Sequence, residues 1–498
     1  MNVNPITRLD YPDPDVIRVE DTYYMVSTTM HFMPGCEILQ SFDLVHWEHV
    51  TYVYETLDHT DAQQLKSGQN IYGQGMWAAS LRYHEGRFYI CFVANDTRKT
   101  YLYTSEKIDG PWKKQLIEGF YHDGSLLFDE DGRSYIVYGN DEIWITELNE
   151  DLTAPKKDGL HRLLVSDHKN PELGYEGSHI QKINGYYYIF LIHSLRDRWM
   201  RTEACFYSDS LEGEFTGGDV LCDDRGYCGQ GVAQGGIVDT PDGKWYAMLF
   251  QDSGAVGRIP ILLPVTWKDH FPIFGQNGHV PEEIEVHSTR PGYIYQPLVG
   301  SDDFCNGLLP RWQFNHDPDP RYYHLDALQG TYTITTREVC TELTQAVNTL
   351  TQRMSYPSCA AEVTVDASAL KEGDVAGLCA LQGCYAAVGI TKHHGKYEVL
   401  MLDKKEDGIL DMTEGTVVES HQMDFRLEAD FCNMKDEARC YYRVNKGDWL
   451  PIGTVHKLYF KLDHFTGCRF GLFCYAAEET GGSACFRDFK YYDVDEIS

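Results

Sequence analysis

The sequence lacks the features typical of membrane, exported and nucleic-acid-binding proteins. Its 498 residues contain no apolar run approaching the roughly 18 residues that span a bilayer, and its start carries no charged-then-apolar export signal. Basic residues are scarce, since 43 Lys and Arg stand against 75 Asp and Glu, for a formal net charge of −32. Nucleic acids and anionic membranes are bound by clustered Lys and Arg, so we expect neither as a partner. We expect a neutral or cationic ligand and a cytoplasmic location.

The cysteines also lack a pattern. There are 15 of them, with no Cys-x-x-Cys pair and no Cys/His grouping at zinc spacing. We therefore expect reduced, mostly buried thiols and no cofactor that the chemistry requires. Aromatic residues, in contrast, are abundant: 34 Tyr, 22 Phe and 9 Trp favour strands over helices, and such rings also serve in sugar-binding surfaces.

A strand–turn–strand unit recurs five times between residues 10 and 275. Each copy has a short apolar strand, a polar turn and a second strand with alternating aromatic residues, as half-buried strands require. The turns lie at Asp21, Gly86, Gly132, Asn184-Gly185 and Gly243. Their spacing is at or above the roughly 40–50 residues of a four-stranded propeller blade. Single hairpins of this kind are common in all-β proteins, but five in register predict a five-bladed β-propeller.

One position in each repeat points to chemistry. Nine residues before the turn, or eight in the first copy, stand Asp13, Trp77, Asp123, Glu176 and Gln234. Equivalent positions at the starts of the inner strands of a propeller meet at one mouth of its channel. Taken singly, each acid fits an ordinary surface turn, and Trp77 fits a core position between blades. Together they predict three converging carboxylates beside an aromatic wall.

Three converging carboxylates suit the cleavage of a glycosidic bond. Close carboxylates raise one another's proton affinity, so one can stay protonated near neutral pH while another is ionised. The protonated one can donate to the leaving oxygen, and the ionised one can activate water on the opposite face of the sugar ring. In the inverting geometry the two are about 6.5–9.5 Å apart, which leaves space for that water.

The first 290 residues resemble glycoside hydrolase family 43, whose members are five-bladed propeller enzymes that act on xylosides and arabinofuranosides with inversion. The matching motifs occur in the family's order and include Tyr11-Pro-Asp-Pro14, Gly75-Met-Trp-Ala78, Asp123-Gly-Ser125, Glu176-Gly-Ser-His179 and Gly257-Arg258. The resemblance implies that Asp13 is the general base and Glu176 the general acid. It implies that Asp123 tunes the pKa of that acid and positions it.

The same resemblance implies further substrate contacts. Arg258 would bind substrate hydroxyls, and Trp77 with Met30 or Phe32 would wall the subsite. Many members have His where Gln234 stands, often beside a central calcium or its waters. Because an amide oxygen can also ligate calcium, Gln234 is a candidate for substrate binding and for metal binding.

The last two-fifths of the chain predict a second domain. Short strands at 8–12-residue spacing indicate a β-sandwich. This part resembles the concanavalin-like sandwich appended to some family members, where a loop can close one side of the active site. Asp303 and Asp488, near its two ends, are candidate ligands of a structural calcium, although ordinary surface acids are an equal alternative.

The sequence thus predicts an all-β protein with a five-bladed β-propeller over residues 1–290, a linker over 291–300 and a β-sandwich over 301–498. The leading hypothesis is an inverting exo-glycosidase that removes terminal β-xylosyl or α-L-arabinofuranosyl units from small hemicellulose oligosaccharides. A non-catalytic carbohydrate-binding propeller and a propeller interaction scaffold are the alternatives. A scaffold needs no buried acids, so the ring of carboxylates argues against it.

Overall fold

The computed structural model describes residues 4–461 and 464–493. This part of the chain contains 37 strands, β1–β37, and four 3₁₀ segments at Lys66–Gly68, Gly254–Val256, Leu343–Gln345 and Cys432–Met434. No helix in the described ranges is long and apolar enough to cross a bilayer. The fifteen cysteines are all free and most are buried, as the lack of any pairing pattern suggested.

Five small antiparallel sheets follow one another along the first part of the chain and form the blades of the predicted propeller. The first repeat contributes β1 (Asp15–Val19), β2 (Thr22–Val26), β3 (Phe32–Met33), β4 (Gly35–Ser41) and β5 (Glu48–Tyr54), of which all but β3 form blade 1. Blade 2 contains β6 (Met76–His84), β7 (Arg87–Ala94), β8 (Lys99–Ser105) and β9 (Lys113–Ile117). Blade 3 contains β10 (Ser125–Phe128), β11 (Ser134–Asn140), β12 (Glu142–Leu148) and β13 (His161–Ser166).

Blade 4 has the same four-stranded layout, and blade 5 has one additional short strand. Blade 4 contains β14 (Glu176–Ile183), β15 (Tyr186–Ser194), β16 (Arg201–Ser208) and β17 (Thr216–Leu221). Blade 5 contains β18 (Val232–Ala233), β19 (Ile237–Asp239), β20 (Trp245–Asp252), β21 (Arg258–Lys268) and β22 (Phe271–Phe274). In every blade the alternating aliphatic and aromatic residues of the second strand pack between neighbouring sheets, which is why the hairpin pattern was readable in the sequence.

The inner strands β1, β6, β10, β14 and β19 line the central channel, and their C-terminal ends surround a cavity of about 400 Å³. The Arg82 side chain of β6 lies across the channel and lines this cavity. Its guanidinium donates to Asp15 Oδ2 at 2.8 Å, to the Leu126 carbonyl at 2.9 Å and to Ser125 Oγ at 2.6 Å. It also reaches the Ile180 carbonyl of β14 at 3.2 Å. One side chain therefore ties the inner strands of blades 1, 3 and 4 to blade 2.

The C-terminal part of the chain is a β-sandwich. Its strands are β23 (Gln313–Asn315), β24 (Tyr323–Asp326), β25 (Thr331–Thr335), β26 (Leu350–Arg353), β27 (Ser358–Asp366), β28 (Val375–Leu381), β29 (Tyr385–His393), β30 (Lys396–Lys404), β31 (Leu410–Met412), β32 (Thr416–Val418), β33 (Gln422–Asp430), β34 (Glu437–Arg443), β35 (Leu450–Lys457), β36 (Arg469–Tyr475) and β37 (Ser483–Asp493). One sheet runs β24-β25-β37-β27-β33-β34-β35. The other runs β3-β23-β26-β36-β28-β29-β30-β31, with β32 also on β30, and a large apolar core fills the space between the two sheets.

The two domains share a sheet and a buried ion pair. Strand β3, which comes from the first repeat, pairs with β23 of the sandwich through Phe314 opposite Met33. Arg353 at the end of β26 reaches into the propeller and contacts Glu37 Oε2 at 2.8 Å, with side chains only 4% and 3% exposed. The fold therefore positions the sandwich rigidly against the mouth of the propeller where the predicted site lies.

Candidate active site

The starts of the inner strands meet in a pocket of about 200 Å³. It is lined by Asp13, Trp77, His122, Asp123, Leu173, Glu176, Trp199, Arg201, Gln234, Arg258 and Phe465. All five positions that the repeats singled out are present, one from each blade, together with Arg258. The pocket is smaller than the roughly 300–1,000 Å³ of sites for drug-sized ligands, and its size suits one small polar unit.

A backbone feature common to the blades turns these side chains toward the pocket. At or next to the repeat position, each blade has a residue with positive φ: Asp13 (53°), Ala78 (35°), Asp123 (48°), Gly177 (65°) and Gln234 (60°). The register of the sheet also shifts between Trp77 and Ser80, and between Glu176 and His179. Left-handed residues and bulges of this kind redirect side chains and recur at functional sites. At Gly177 a Cβ would lie 2.7 Å from the Gln234 side chain, so a larger residue there would displace that side chain.

Asp13 is held by two donors. Thr28 Oγ1 donates to Asp13 Oδ2 and Arg258 Nη1 donates to Oδ1, each at 2.5 Å. Asp252 in turn accepts from Arg258 Nε at 3.2 Å and from Arg201 Nε at 2.7 Å, so it orients both guanidiniums. Charge-assisted hydrogen bonds therefore hold both oxygens of the buried Asp13 carboxylate in place.

Asp123, Glu176 and His122 form a compact cluster in the same pocket. His122 Nε2 lies 3.4 Å from Glu176 Oε2 and 3.5 Å from Asp123 Oδ2. Asn140 Nδ2 donates to Glu176 Oε2 at 2.6 Å, and the Gly177 N–H donates to Asp123 Oδ2 at 3.0 Å. The Glu176 side chain is 20% exposed to solvent and that of Asp123 is 7% exposed. Glu176 is therefore the carboxylate of this cluster that is open to a ligand.

Burial and neighbouring charges shift the proton affinities of this cluster. Burial raises the pKa of Asp123 to about 6, since the charges of Glu176 and Asp13 add to it and that of His122 opposes it. Burial would lower the pKa of His122, but the charges of Asp123 and Glu176 outweigh it and raise this pKa to about 9. Both groups therefore hold protons more tightly than they would in water.

The sequence predicted that converging carboxylates would raise one another's pKa, but the pKa of Glu176 is lowered. Burial raises its pKa, but the contact with His122 and the positive charges of His122, Arg201 and Arg258 outweigh burial, so the pKa of Glu176 lies below its ordinary value. The sequence argument counted the acids and left out the three cations that surround them. Asp123 is the member of the pair whose pKa is raised.

Aromatic rings wall the pocket from both domains. The Phe465 ring comes from the sandwich and lies 3.8 Å from the Arg258 guanidinium carbon. It also contacts Trp77 edge-on, with ring centroids 5.1 Å apart. Trp199 and Leu173 complete the wall on the blade 4 side. The loop of the sandwich thus closes one side of the pocket, as the family resemblance implied.

The structure places Met30 and Phe32 outside the pocket lining. Met30 is fully buried and pairs through its backbone with Met76, while its sulfur accepts from Thr466 Oγ1 at 3.6 Å. Phe32 lies in the shared sheet, with its ring centroid 3.4 Å from the Arg469 guanidinium carbon. Both residues therefore support the contact with the sandwich. Phe465, and not Met30 or Phe32, lies beside Trp77 in the wall of the pocket.

The three candidate metal ligands lie in different surroundings. Gln234 lines the pocket and its backbone N–H donates to Glu203 Oε2 at 2.7 Å. Asp303 and Asp488 are exposed, and within the described residues neither belongs to a group of three His, Cys or carboxylate donors close enough to share an ion. Calcium at these three positions stays a prediction.

The cluster of His122, Asp123 and Glu176 places three donor atoms within 4.8 Å of one another, a spacing that would also suit a cation. Arg201 and Arg258 already supply positive charge to it, since both lower the pKa of Glu176. We therefore interpret the cluster as a set of groups that share protons.

Several pocket residues were not predicted from the sequence: His122, Leu173, Trp199, Arg201 and Phe465. His122 carried a usable signal, because it directly precedes Asp123. Trp199 and Arg201 follow the second strand of blade 4, and no equivalent residues recur at that position in the other repeats. Phe465 lies more than 200 residues beyond Arg258, the preceding member of the site in the chain, so only the fold reveals it.

Buried carboxylates paired with guanidiniums, with aromatic rings around a small pocket, suit an acid–base hydrolase that acts on sugars. The chain belongs to the glycosyl hydrolases family 43, whose family model matches residues 3–272. The beta xylosidase C-terminal concanavalin A-like domain matches residues 301–492.

Similar proteins span both domains. A beta-xylosidase of Formosa agariphila is 27% identical over 99% of this chain and 89% of its own length. A xylosidase/arabinosidase 43B of Humicola insolens is 25% identical over 98% of this chain and 96% of its own.

Solved structures have the same two-domain fold. A bifunctional GH43-CE protein of Bacteroides eggerthii is 42% identical, with a TM-score of 0.92 over 100% of this chain; the chain spans 64% of that protein. An engineered GH43 glycoside hydrolase described as displaying endo-xylanase and exo-arabinofuranosidase activity is 27% identical, with a TM-score of 0.86 over 99% of both chains.

Proposed function

We propose that the protein is an exo-acting glycosidase that removes terminal β-xylosyl or α-L-arabinofuranosyl units from small hemicellulose oligosaccharides, with inversion. The observation that carries this proposal is the placing of Asp13 and Glu176 in one small pocket that Phe465 closes on one side. A pocket of this size receives the end of a chain, whereas an open groove would receive its middle.

In this proposal Asp13 is the general base. Its bonds from Thr28 and Arg258 fix the orientation of its carboxylate, which would take a proton from the water that attacks the anomeric carbon. The Arg258 guanidinium, oriented by Asp252, has donors left to bind sugar hydroxyls.

Glu176 is the general acid in the same proposal. It is the more exposed carboxylate of its cluster, and Asn140 holds it from one side. It would give its proton to the glycosidic oxygen as the bond breaks, while the more deeply buried Asp123 sets the local charge. The substrate class is inferred from the relatives, which are named as a beta-xylosidase and a xylosidase/arabinosidase.

The test is to assay D13A and E176A with xylobiose and with nitrophenyl xyloside and arabinofuranoside. We expect turnover of xylobiose to fall by about 10²-fold or more in both variants, since general acid–base groups contribute about 10²–10⁴-fold. E176A should retain more activity on the nitrophenyl substrates, whose leaving groups need less protonation. Asp239→Ala, at the opposite end of the channel, is the matched control.

The anomer of the first product, followed by NMR, tests the stereochemistry. Inversion of the anomeric configuration is expected, and a retained anomer would contradict the role given to Asp13. Sugar binding without hydrolysis in the wild-type protein would favour the alternative of a non-catalytic carbohydrate-binding propeller.

A further inference from the structure

His122 is a titratable residue in the pocket, and the proposed function, which uses Asp13, Asp123 and Glu176, gives it no role. It lines the pocket, and its Nε2 atom lies between Glu176 Oε2 at 3.4 Å and Asp123 Oδ2 at 3.5 Å. Its ring centroid is 6.3 Å from that of Trp77, and its backbone carbonyl accepts from the Gly139 N–H at 3.0 Å. The imidazole therefore lies next to the carboxylate of the proposed acid.

The positive charges around Glu176 favour its ionised form. A general acid must be protonated when the glycosidic bond breaks, but the cations around Glu176 hold its pKa below the ordinary value. His122, in contrast, retains its proton to a pKa of about 9. The proton that catalysis needs is thus one contact away from the carboxylate that must deliver it.

We propose that His122 is a positioning residue and proton reservoir for Glu176, which passes its Nε2 proton to Glu176 Oε2 when a glycoside fills the pocket. This inference rests on the function proposed above. The Nε2–H bond of the imidazolium breaks and an O–H bond forms on Glu176, which leaves a neutral imidazole beside a carboxylic acid. Glu176 then gives this proton to the leaving oxygen, while Asp13 takes one from the attacking water.

The charges that face the pair keep both groups ionised while the pocket is open to water. His122 is held in its cationic form by Asp123, Glu176 and Asp13, and Glu176 is held ionised by His122, Arg201 and Arg258. A bound sugar displaces water from the exposed fifth of the Glu176 side chain. Removing that water disfavours the separated charges more than the neutral pair, so the proton moves to the carboxylate. After product leaves, solvent returns Asp13 and the His122–Glu176 pair to their starting state.

The decisive measurement is the pH dependence of kcat/KM for xylobiose in H122Q. Glutamine keeps a neutral N–H donor near the position of Nε2 but cannot carry the proton. We expect the alkaline limb to move down by at least one pH unit, since Glu176 would then lose its proton at its own pKa. At pH 7.5 kcat on xylobiose should fall by about 10²-fold, and kcat on dinitrophenyl xyloside by less than about threefold.

Two other outcomes would overturn the proposal. An alkaline limb that stays in place would show a structural role only, and a limb that moves up would show that His122 merely lowers the pKa of Glu176 by its charge. His193→Gln is the matched control, because His193 is also a buried histidine between two carboxylates, Asp167 and Asp219, and is not part of the pocket. Its pH profile should equal that of the wild type.

A second measurement uses the wild-type protein and does not depend on a variant that folds. NMR titration of the His122 ring should give a raised pKa in the free protein, and this pKa should fall by more than one unit when a non-hydrolysed thioxyloside is bound. An unchanged pKa in the complex would overturn the transfer. Failure of the proposed function is distinguishable, because it would appear as full turnover of xylobiose by D13A and E176A.

Discussion

Burial of Asp123 at the site disfavours its ionised form. The residue is 6% exposed, and its pKa is raised from 3.8 to about 6 because of this burial. The folded protein therefore binds a proton at Asp123 more tightly than the unfolded chain does. This contribution to stability is present at low pH and is lost as the pH rises from about 4 through 6.

Replacing Asp123 with Asn should consequently stabilise the protein near neutral pH while it impairs catalysis. The difference between 3.8 and about 6 corresponds to about 3 kcal/mol at most, since one pKa unit is about 1.4 kcal/mol. We expect a higher Tm for D123N than for the wild type at pH 7.5 and a much smaller difference at pH 4.5. Thermal unfolding at the two pH values checks this, and a lower Tm at pH 7.5 would contradict it.

Arg258 is the second residue whose exact chemistry matters. One guanidinium bonds Asp13 through Nη1 and Asp252 through Nε, a forked geometry that an ammonium group cannot reproduce. R258K should therefore fold but lose about 10²-fold or more in kcat/KM. Arg18→Lys at the far end of the channel, where Arg18 pairs with Asp239, should keep nearly full activity. Equal losses in both variants would mean that the effect is general and unrelated to the site.

At the scale of the elements, the segment that carries Phe465 is tightly confined. The Cys468 N–H donates to the Ala255 carbonyl at 2.8 Å, and the Arg258 N–H donates to Asp10 Oδ1 at 2.8 Å on the facing side. A Cβ at Gly467 would lie 1.9 Å from the Val256 carbonyl oxygen and 3.0 Å from Asp10 Cβ. Backbone cannot give way as a flexible side chain can, so a residue with a side chain must displace the segment.

We therefore expect G467A to move Phe465 away from Arg258 and to raise KM for xylobiose about tenfold or more. Gly218 in β17 is the matched control, because a Cβ there meets no atom within 4 Å. G218A should leave kcat and KM unchanged and should not lower stability, since Ala is favoured over Gly in a strand. Steady-state kinetics of both variants provide the test; a G467A enzyme with wild-type KM would show that the segment has room to adapt.

At the scale of the whole molecule, the propeller and sandwich are joined by more than a linker. The β3–β23 pairing continues one sheet across the boundary, and the Arg353 guanidinium lies between Glu37, the Asp10 carbonyl at 2.9 Å and the Tyr11 ring. Both charges of this pair are buried. Removal of one partner from a buried ion pair costs about 3–5 kcal/mol, because the other charge is left uncompensated.

Calorimetry should consequently show one unfolding transition for the wild-type protein. R353M should lower its Tm by several degrees and separate the unfolding of the two domains. Arg290→Met removes an exposed pair with Asp21 and should change stability by less than about 1 kcal/mol. Two transitions in the wild type, or an R353M profile like that of R290M, would show that the ion pair does not couple the domains.

The sequence by itself determined the architecture and the ring of site positions, because both rest on local periodicity. Alternating aromatics around a polar turn identify a hairpin wherever it lies, and five copies at matched offsets place Asp13, Trp77, Asp123, Glu176 and Gln234 at one mouth. The family motifs added Arg258. These signals depend on residues close together in the chain, so they survive without knowledge of the fold.

Only the tertiary structure decided which cations, rings and backbone groups surround those acids. Phe465 reaches the pocket because β3 and Arg353 fix the sandwich against the propeller, while Met30 and Phe32 are used in that contact. The pKa of Glu176 lies below its ordinary value because His122, Arg201 and Arg258 approach it from separate blades. Proton affinity depends on distances between groups remote in the chain, and no spacing in the sequence reports those distances.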